Sequence, residues 1–199
     1  MKYITFKKND DRIKKRLVDN FIRKIENFLS KYLLFAKIYS YFFENMTIDE
    51  FSMVEITDKS KVINIGCGSI PHTLIILAKV KDWAFLGIDK DEVAVESAKK
   101  IVHNYHLSER IDIEVGDGLD FDVSSFDLII VSHGVEPKTR LLEKLGIDMR
   151  DDSIILYRTI WDSLTSVYGK ALIPNNLKVI GSYDRIDGIR SLLLIRNKN

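Results

Sequence analysis

Three observations predict an α/β fold with a mostly parallel sheet for this 199-residue chain. From residue 61 onward, short apolar runs alternate with segments of helical period. The first run, Val62 to Ile65, stops at Gly66-Cys67-Gly68, and an apolar helical pattern follows at once. The second run, Trp83 to Ile88, ends in Asp89, 23 positions after Gly66. Strand, glycine turn and helix bring a backbone close to a nucleotide-like ligand, and an acid at the tip of the second strand accepts hydrogen bonds from ribose hydroxyls. Together these features predict a chain that binds a nucleoside-containing small molecule.

The elements follow in order. Residues 10–45 read as helix, because Ile13, Leu17, Phe21, Ile25, Phe28, Leu29, Tyr32, Leu33 and Ala36 recur at steps of three and four. Its last part, Tyr32 to Phe43, is apolar nearly all round, which predicts burial or a position over a pocket. Residues 46–60 read as a connector with a short helix. Strands are expected at 61–65, 83–88, 111–115, 126–132, 153–157, 177–181 and 190–196. Helices are expected at 71–80, 91–106 and 137–146, with a shorter one near 161–170. The last two strands flank the turn-rich Asp184-Arg185-Ile186-Asp187-Gly188, so they should form an antiparallel hairpin closing the sheet. The domain reading is an N-terminal helical extension over 1–55 and a ligand-binding domain over 56–199.

Composition narrows the class. A hydrophobic content of 46% supplies a core, and 30% charged residues keep the surface polar. No run of 18 apolar residues predicts a membrane span, and the first residues lack a signal-peptide core. A single cysteine excludes an internal disulfide and fits the cytoplasm. The four histidines show no metal-ligand spacing with Cys67, so no metal site is expected. The net charge is +1, but residues 1–43 alone carry +7, leaving −6 for the remainder. A basic appendage on an acidic body is either a solvated helix face or a surface that steers an anionic partner.

In an open parallel sheet the ligand lies beyond the carboxyl ends of the strands. After the first strand come Gly66, Cys67, Gly68, Ser69, Ile70, Pro71 and Thr73; the two glycines let a ligand approach the backbone, and Pro71 suits a helix start. After the second come Asp89 and Lys90, and after the third Gly116-Asp117-Gly118, whose carboxylate can accept from an adenine amino group. After the fourth come Ser132-His133-Gly134-Val135-Glu136-Pro137, and after the fifth Tyr157-Arg158-Thr159. Arg158, leaving a buried strand at the ligand face, is placed either to pair with an acid of the protein or to bind a substrate carboxylate, and its position at the ligand face favours the second. His133, Glu136 and a tyrosine of the N-terminal helix, Tyr41, are candidates to orient or deprotonate an acceptor.

These residues resemble the Rossmann-like class I methyltransferase superfold over roughly residues 55–199. The resemblance implies S-adenosyl-L-methionine as cofactor and a seven-stranded sheet with a reversed last strand. It also implies that Gly66 to Ser69 hold the methionine end, Asp89 the ribose and Asp117 the adenine. Common methyltransferases carry an acid two positions before the first glycine and a third glycine two after the second; here those positions are Asn64 and Ile70. The same departures, with Pro71 and Thr73 following, are similar to nicotianamine synthases and their archaeal relatives. Glu136-Pro-Lys-x-Arg-Leu-Leu, Ile154-Ile-Leu-Tyr-Arg-Thr, Ser166-Val-Tyr and the terminal Ser191-Leu-Leu-Leu-Ile resemble the archaeal branch. That family moves the aminocarboxypropyl arm of S-adenosylmethionine to an amine, which implies a small-molecule amine or amino-acid acceptor. The family's N-terminal helical region is longer than the 55 or so residues available here, and its acidic catalytic residue has only Glu44 and Glu50 as candidates, beside Tyr41. The alternative is methyl transfer to a small molecule on the same scaffold. Methyl transfer to RNA is a third reading: the basic N-terminal helix favours it, while Ser132-His-Gly-Val is not the Asn/Asp-Pro-Pro-aromatic element that grips a flipped base. The N-terminal helix is also a candidate surface for homo-oligomer formation.

Overall fold

The computed structural model describes residues 33–160 and 172–198. The elements in order are α1 (Leu33–Phe51), β1 (Lys61–Ile65), α2 (His72–Val80), β2 (Ala84–Asp89), α3 (Glu92–Asn104), β3 (Ile111–Val115), β4 (Leu128–Val131), α4 (Lys138–Asp148), β5 (Ile154–Ile160), β6 (Leu177–Asp184) and β7 (Ile189–Arg196). They form one seven-stranded sheet in the order β3-β2-β1-β4-β5-β7-β6. Pairs from β3 through β5 are parallel, whereas β7 runs antiparallel to both β5 and β6. The chain order reverses between β1 and β4, which opens a crevice at their carboxyl ends.

Burial follows the topology. β1 is buried from its second residue on and β4 throughout, as strands covered on both faces must be. One face carries Leu74, Ile75 and Leu77 of α2 with Val95, Ala98 and Ile101 of α3. The other carries Leu141, Leu142 and Leu145 of α4 with Ile63, Ile129 and Ile155. Asp91 caps α3 by accepting from the N–H groups of Val93 and Ala94. The carbonyls at the end of α2 are met by Arg110, which donates to Ala78 O at 2.5 Å and also to Lys81 O.

Two expectations need adjusting. The helix expected to stop at 45 runs on to Phe51, so the connector begins six residues later. The apolar period masks this continuation, because Thr47, Asp49 and Glu50 interrupt it. Glu50 is nevertheless fully buried, and Phe51 and Val54 enter the core. α1 thus ends inside the body of the fold and packs on α2. The expected strand 153–157 extends to Ile160, because β7 continues the ladder to Ile189. The helix expected near 161–170, the Ser166-Val-Tyr segment and the basic residues up to 32 lie outside the described residues. Among the described residues, no helix is long and apolar enough to cross a membrane.

Candidate active site

A cavity of about 740 Å³ lies at the carboxyl ends of β1, β2, β3, β4 and β5. Its nucleoside-type end is made by the glycine turn. Gly66 has φ +76°, and a Cβ there would meet Val135 Cγ2 at 2.4 Å, so only glycine keeps this path. Gly68, also in the left-handed region, donates its N–H to Asp89 Oδ2 at 2.9 Å. Asp89 Oδ1 accepts from the N–H of Asp91 at 3.0 Å. The carboxylate at the tip of β2 therefore ties the glycine turn to the start of α3. Gly116, Asp117 and Gly118 line the wall beyond β3, where Asp117 Oδ1 accepts from Leu119 N–H at 2.9 Å. Asn64, where common methyltransferases carry an acid, is buried and donates to Ser132 Oγ at 2.9 Å, joining the ends of β1 and β4.

The opposite end is ionic and closed. Glu50 of α1 accepts a two-pronged pair from Arg158 of β5: Nε to Oε1 at 2.8 Å and Nη2 to Oε2 at 2.6 Å. Arg158 also donates to Thr73 Oγ1 at 2.9 Å, reaching the first turn of α2. Arg185, from the turn between β6 and β7, donates to Glu50 Oε2 at 3.1 Å and to Asp187 Oδ2 at 2.7 Å. The hydroxyl of Ser191 on β7 donates to Glu50 Oε1. Arg158 sits over the ring of Phe51 and Arg185 over that of Phe43. Four parts of the fold thus meet on one carboxylate: α1, β5, the β6–β7 turn and β7.

Electrostatics sort the groups near the cavity. Burial pushes the Glu50 carboxyl up, but Arg158 above all, then Arg185 and Ser191, hold it below the usual carboxylate range. His72 packs against Phe43 with ring centroids 5.0 Å apart. Its pKa is pulled down to about 3, first by burial, then by Arg158 and Arg185, so the imidazole is neutral. The buried Cys67 thiol is pushed far up, chiefly by burial and then by Asp89, which makes it no nucleophile. Tyr157 rises to about 12, mainly by burial, and stays a neutral phenol.

Most predicted site residues line the one cavity: Gly66, Cys67, Gly68, Ser69, Thr73, Asp89, Lys90, Gly116, Asp117, Gly118, Ser132, His133, Glu136 and Arg158. Two do not. Pro71 sits at the N-cap of α2, behind the wall. Tyr41 is 76% exposed and points away from the cavity, because it lies on the side of α1 opposite the buried Glu50. Of the two readings of Arg158, the pair with an acid is the one formed: it is 5% exposed, and its fork is taken by Glu50. The sequence assigns no site role to His72, Arg185, Asp187 and Ile189, all in the cavity wall, whereas Phe43 belongs to the segment expected to be buried or to lie over a pocket. The Arg-x-Asp pair inside a hairpin turn was the one available signal.

Nicotianamine synthase protein is the family whose model matches, over residues 16–186. The chain belongs to the nicotianamine synthase family. Members are S-adenosylmethionine-dependent transferases, and this chain is one of them. Among solved structures, it is similar to a mutant of MtNAS in complex with S-adenosylmethionine: TM-score 0.77 at 17% identity, covering 89% of this chain and 74% of that one. MtNAS in complex with MTA and tNA gives 0.76 at 18% identity, with 89% and 72% covered. An RNA methyltransferase from Salinibacter ruber in complex with S-adenosyl-L-homocysteine gives 0.63 at 12%, with 78% and 92% covered. At these identities the likeness is one of fold. Comparison with curated proteins gives no match.

The nucleoside end fits S-adenosylmethionine on its own geometry. Gly66 and Gly68, both in the left-handed region, keep the turn without side chains in the cavity wall. The buried Ser69 hydroxyl has no hydrogen-bond partner among the described residues, as expected of a group that waits for a ligand. Acid side chains from β2 and β3 face the same space.

Proposed function

We propose that this cavity holds S-adenosylmethionine with its nucleoside toward Asp89 and Asp117 and its methionine end toward Gly66 to Thr73, and brings a small amine against the methionine arm. Ser69 and the first backbone N–H groups of α2 would take the polar methionine end. Asp89 would accept from the ribose, and Asp117 from the adenine amino group. The bound sulfonium supplies an activated carbon, and which attached carbon reacts depends on which faces the nucleophile. The protein's part is positioning, exclusion of water and removal of the amine proton.

The charge pattern distributes that work. Neutral His72 cannot take a proton, since its cation would face Arg158 and Arg185. Glu50, held ionised by two arginines, is a poor base as well. Glu136, half exposed at the cavity mouth, and His133 beside it are the groups proposed to receive the amine proton and pass it to water. Arg158 is a positioning residue that acts through Glu50 and Thr73, not a carboxylate clamp. α1 supplies part of the wall of the acceptor end through Phe43, and Glu50 anchors that helix from behind the wall.

The observation that carries this reading is the Glu50–Arg158–Arg185 cluster, which seats α1 on a methyltransferase-type cavity and closes the end where a methionine arm must react. The test is mass spectrometry of the nucleoside product after incubation with S-adenosylmethionine and a small-molecule cell extract. Methylthioadenosine above the spontaneous background is expected. S-adenosylhomocysteine in its place makes the transferred group methyl and overturns the reading.

A further inference from the structure

We propose that Asp187 holds the α-ammonium of the S-adenosylmethionine arm, which stretches that arm across the acceptor end and turns its sulfur-bound carbon, rather than the methyl group, toward the amine; this rests on the aminocarboxypropyl-transfer reading above. The arm ends in two opposite charges, and the cavity separates what suits each. The glycine turn and the start of α2 offer donors: the Ser69 hydroxyl, backbone N–H groups, and Thr73, whose oxygen accepts from Arg158 at 2.9 Å and so leaves its own proton to donate. These suit the carboxylate. An ammonium is best met by an anion, and β1 ends in none. Asn64 stands there, a neutral amide that donates to Ser132 Oγ at 2.9 Å.

Among the described residues, the carboxylates in the cavity wall are Asp89, Asp117, Glu136 and Asp187. Asp89 and Asp117 stand at the nucleoside end, and Glu136 stands at the mouth. Asp187 is joined to the methionine end by a chain of contacts, through Arg185, Glu50 and Arg158 to Thr73. Its side chain is 27% exposed, whereas those of Arg185 and Arg158 are 4% and 7% exposed and that of Glu50 is fully buried. The cavity therefore meets the outer edge of Asp187 and not the guanidinium groups behind it. Asp187 Oδ2 accepts from Arg185 Nη2 at 2.7 Å, and Oδ1 accepts at 3.3 Å from Arg185 Nε and from Ile189 N–H. A carboxylate offers about four lone-pair sites, so one is left for an ammonium. His72 in the same wall is neutral and adds no repelling charge.

An arm held at both of its charges is fixed in direction. Displacement needs the amine in line with the bond that breaks, on the side away from sulfur. With its carboxylate at the start of α2 and its ammonium on the β6–β7 turn, the arm lies along the acceptor end, and its sulfur-bound carbon is the one an amine there meets. The neutral nitrogen forms a C–N bond to that carbon. The C–S bond breaks with its electron pair going to sulfur, so the sulfonium leaves as neutral methylthioadenosine. The proton released from nitrogen passes to Glu136 and then to water. Asp187 exchanges no proton in this step; its part is orientation.

The test is calorimetric titration of three ligands: S-adenosylmethionine, its analogue with hydrogen in place of the α-amino group, and methylthioadenosine, which has no arm. Wild type is expected to bind S-adenosylmethionine about tenfold or more tighter than the deaminated analogue, as one charge-assisted contact supplies. Asp187→Asn should erase that difference and leave methylthioadenosine affinity unchanged, while Asp187→Glu, which keeps the charge, recovers most of it. The Asn variant should also lower kcat/KM for S-adenosylmethionine by about the same factor, followed as methylthioadenosine. Melting temperatures show whether a variant is folded, and methylthioadenosine affinity is the readout that a merely structural loss of the Arg185 pair would move. Wild type that does not distinguish the two sulfonium ligands, an Asn variant that still does, or an equal loss of methylthioadenosine binding overturns the proposal. S-adenosylhomocysteine formed by wild type in place of methylthioadenosine overturns the transfer reading and the orientation drawn from it, while the calorimetric difference still decides whether the ammonium sits on Asp187.

Discussion

The two ends of the cavity are built by opposite means. The nucleoside end is made of backbone: two glycines in the left-handed region, a hydroxyl without a partner among the described residues, and carboxylates that brace loops while facing open space. The acceptor end is made of buried charge, with one carboxylate held by two arginines and a serine drawn from separate elements. A backbone cradle tolerates change in the surrounding side chains but not in the glycines. A buried ion cluster is the reverse: its stability depends on every partner being present, and loss of any one exposes the rest to an uncompensated charge.

The largest effect is expected at Glu50. Glu50→Ala leaves two buried guanidinium groups without their shared anion and should cost about 3–5 kcal/mol in urea unfolding. Glu50→Gln keeps the shape and loses the charge, so it should fall between wild type and Ala. A loss below about 1 kcal/mol for both would mean that the cluster opens to water and that the contrast between the two ends is only apparent.

The next effect is on pH dependence. His72 is held near 3 in the folded protein and titrates near 6.5 when unfolded. The unfolded chain then binds the extra proton between those values, so stability falls as pH drops from about 6.5 toward 3, with a slope of up to about 1.4 kcal/mol per unit. His72→Phe should flatten that window, measured by urea unfolding at a series of pH values. Glu50 acts in the same direction at lower pH. Its depressed carboxyl gives full stabilisation above the unfolded carboxylate range and loses it as pH falls through the folded value. A slope unchanged in the His72 variant would show that this imidazole is not held neutral by burial and the arginines.

At the other end, Gly66→Ala should cost about 1–3 kcal/mol, because it combines a φ of +76° with a methyl group driven into Val135. The same variant should weaken S-adenosylmethionine binding in calorimetry. Gly134→Ala is the matching control, since a Cβ there meets nothing within 4 Å.

The contrast also explains what was legible. Gly66, Gly68, Asp89 and Asp117 stand at strand ends, where position in a βα unit assigns a role from local order alone. Every parallel strand was read to within a few residues, because strands buried on both faces are continuous apolar runs between turn signals. The ion cluster joins residues 50, 73, 158, 185, 187 and 191, which no local window contains. Arg158 was legible as a charge on a buried strand, but its partner was not, since Glu50 belongs to a helix whose apolar period had already faded. Tyr41 drew notice by residue type, and the helix turns it outward. The Arg185–Asp187 turn reads in the sequence as a hairpin linker and nothing more, because only the antiparallel register of β6 and β7 brings it to the cavity.

The smallest expected effect separates two jobs that Asp89 combines. Its Oδ2 accepts from Gly68 and its Oδ1 from Asp91, so it shapes the glycine turn whether or not a ligand is present. A ribose hydroxyl would add a charge-assisted bond to the same carboxylate. Asp89→Asn keeps the volume and one acceptor oxygen but removes the charge and sets an amide N–H2 against one of the two backbone donors, so the turn keeps one of its two bonds while the ribose bond weakens. The expected result is a loss of about 1–3 kcal/mol in S-adenosylmethionine affinity by calorimetry, with unfolding stability changed by less. If stability drops by as much as affinity, Asp89 acts on the ligand only through the turn. If neither changes, the ribose is held elsewhere, and the nucleoside end owes its binding to the glycine backbone and the wall formed by Gly116 to Gly118.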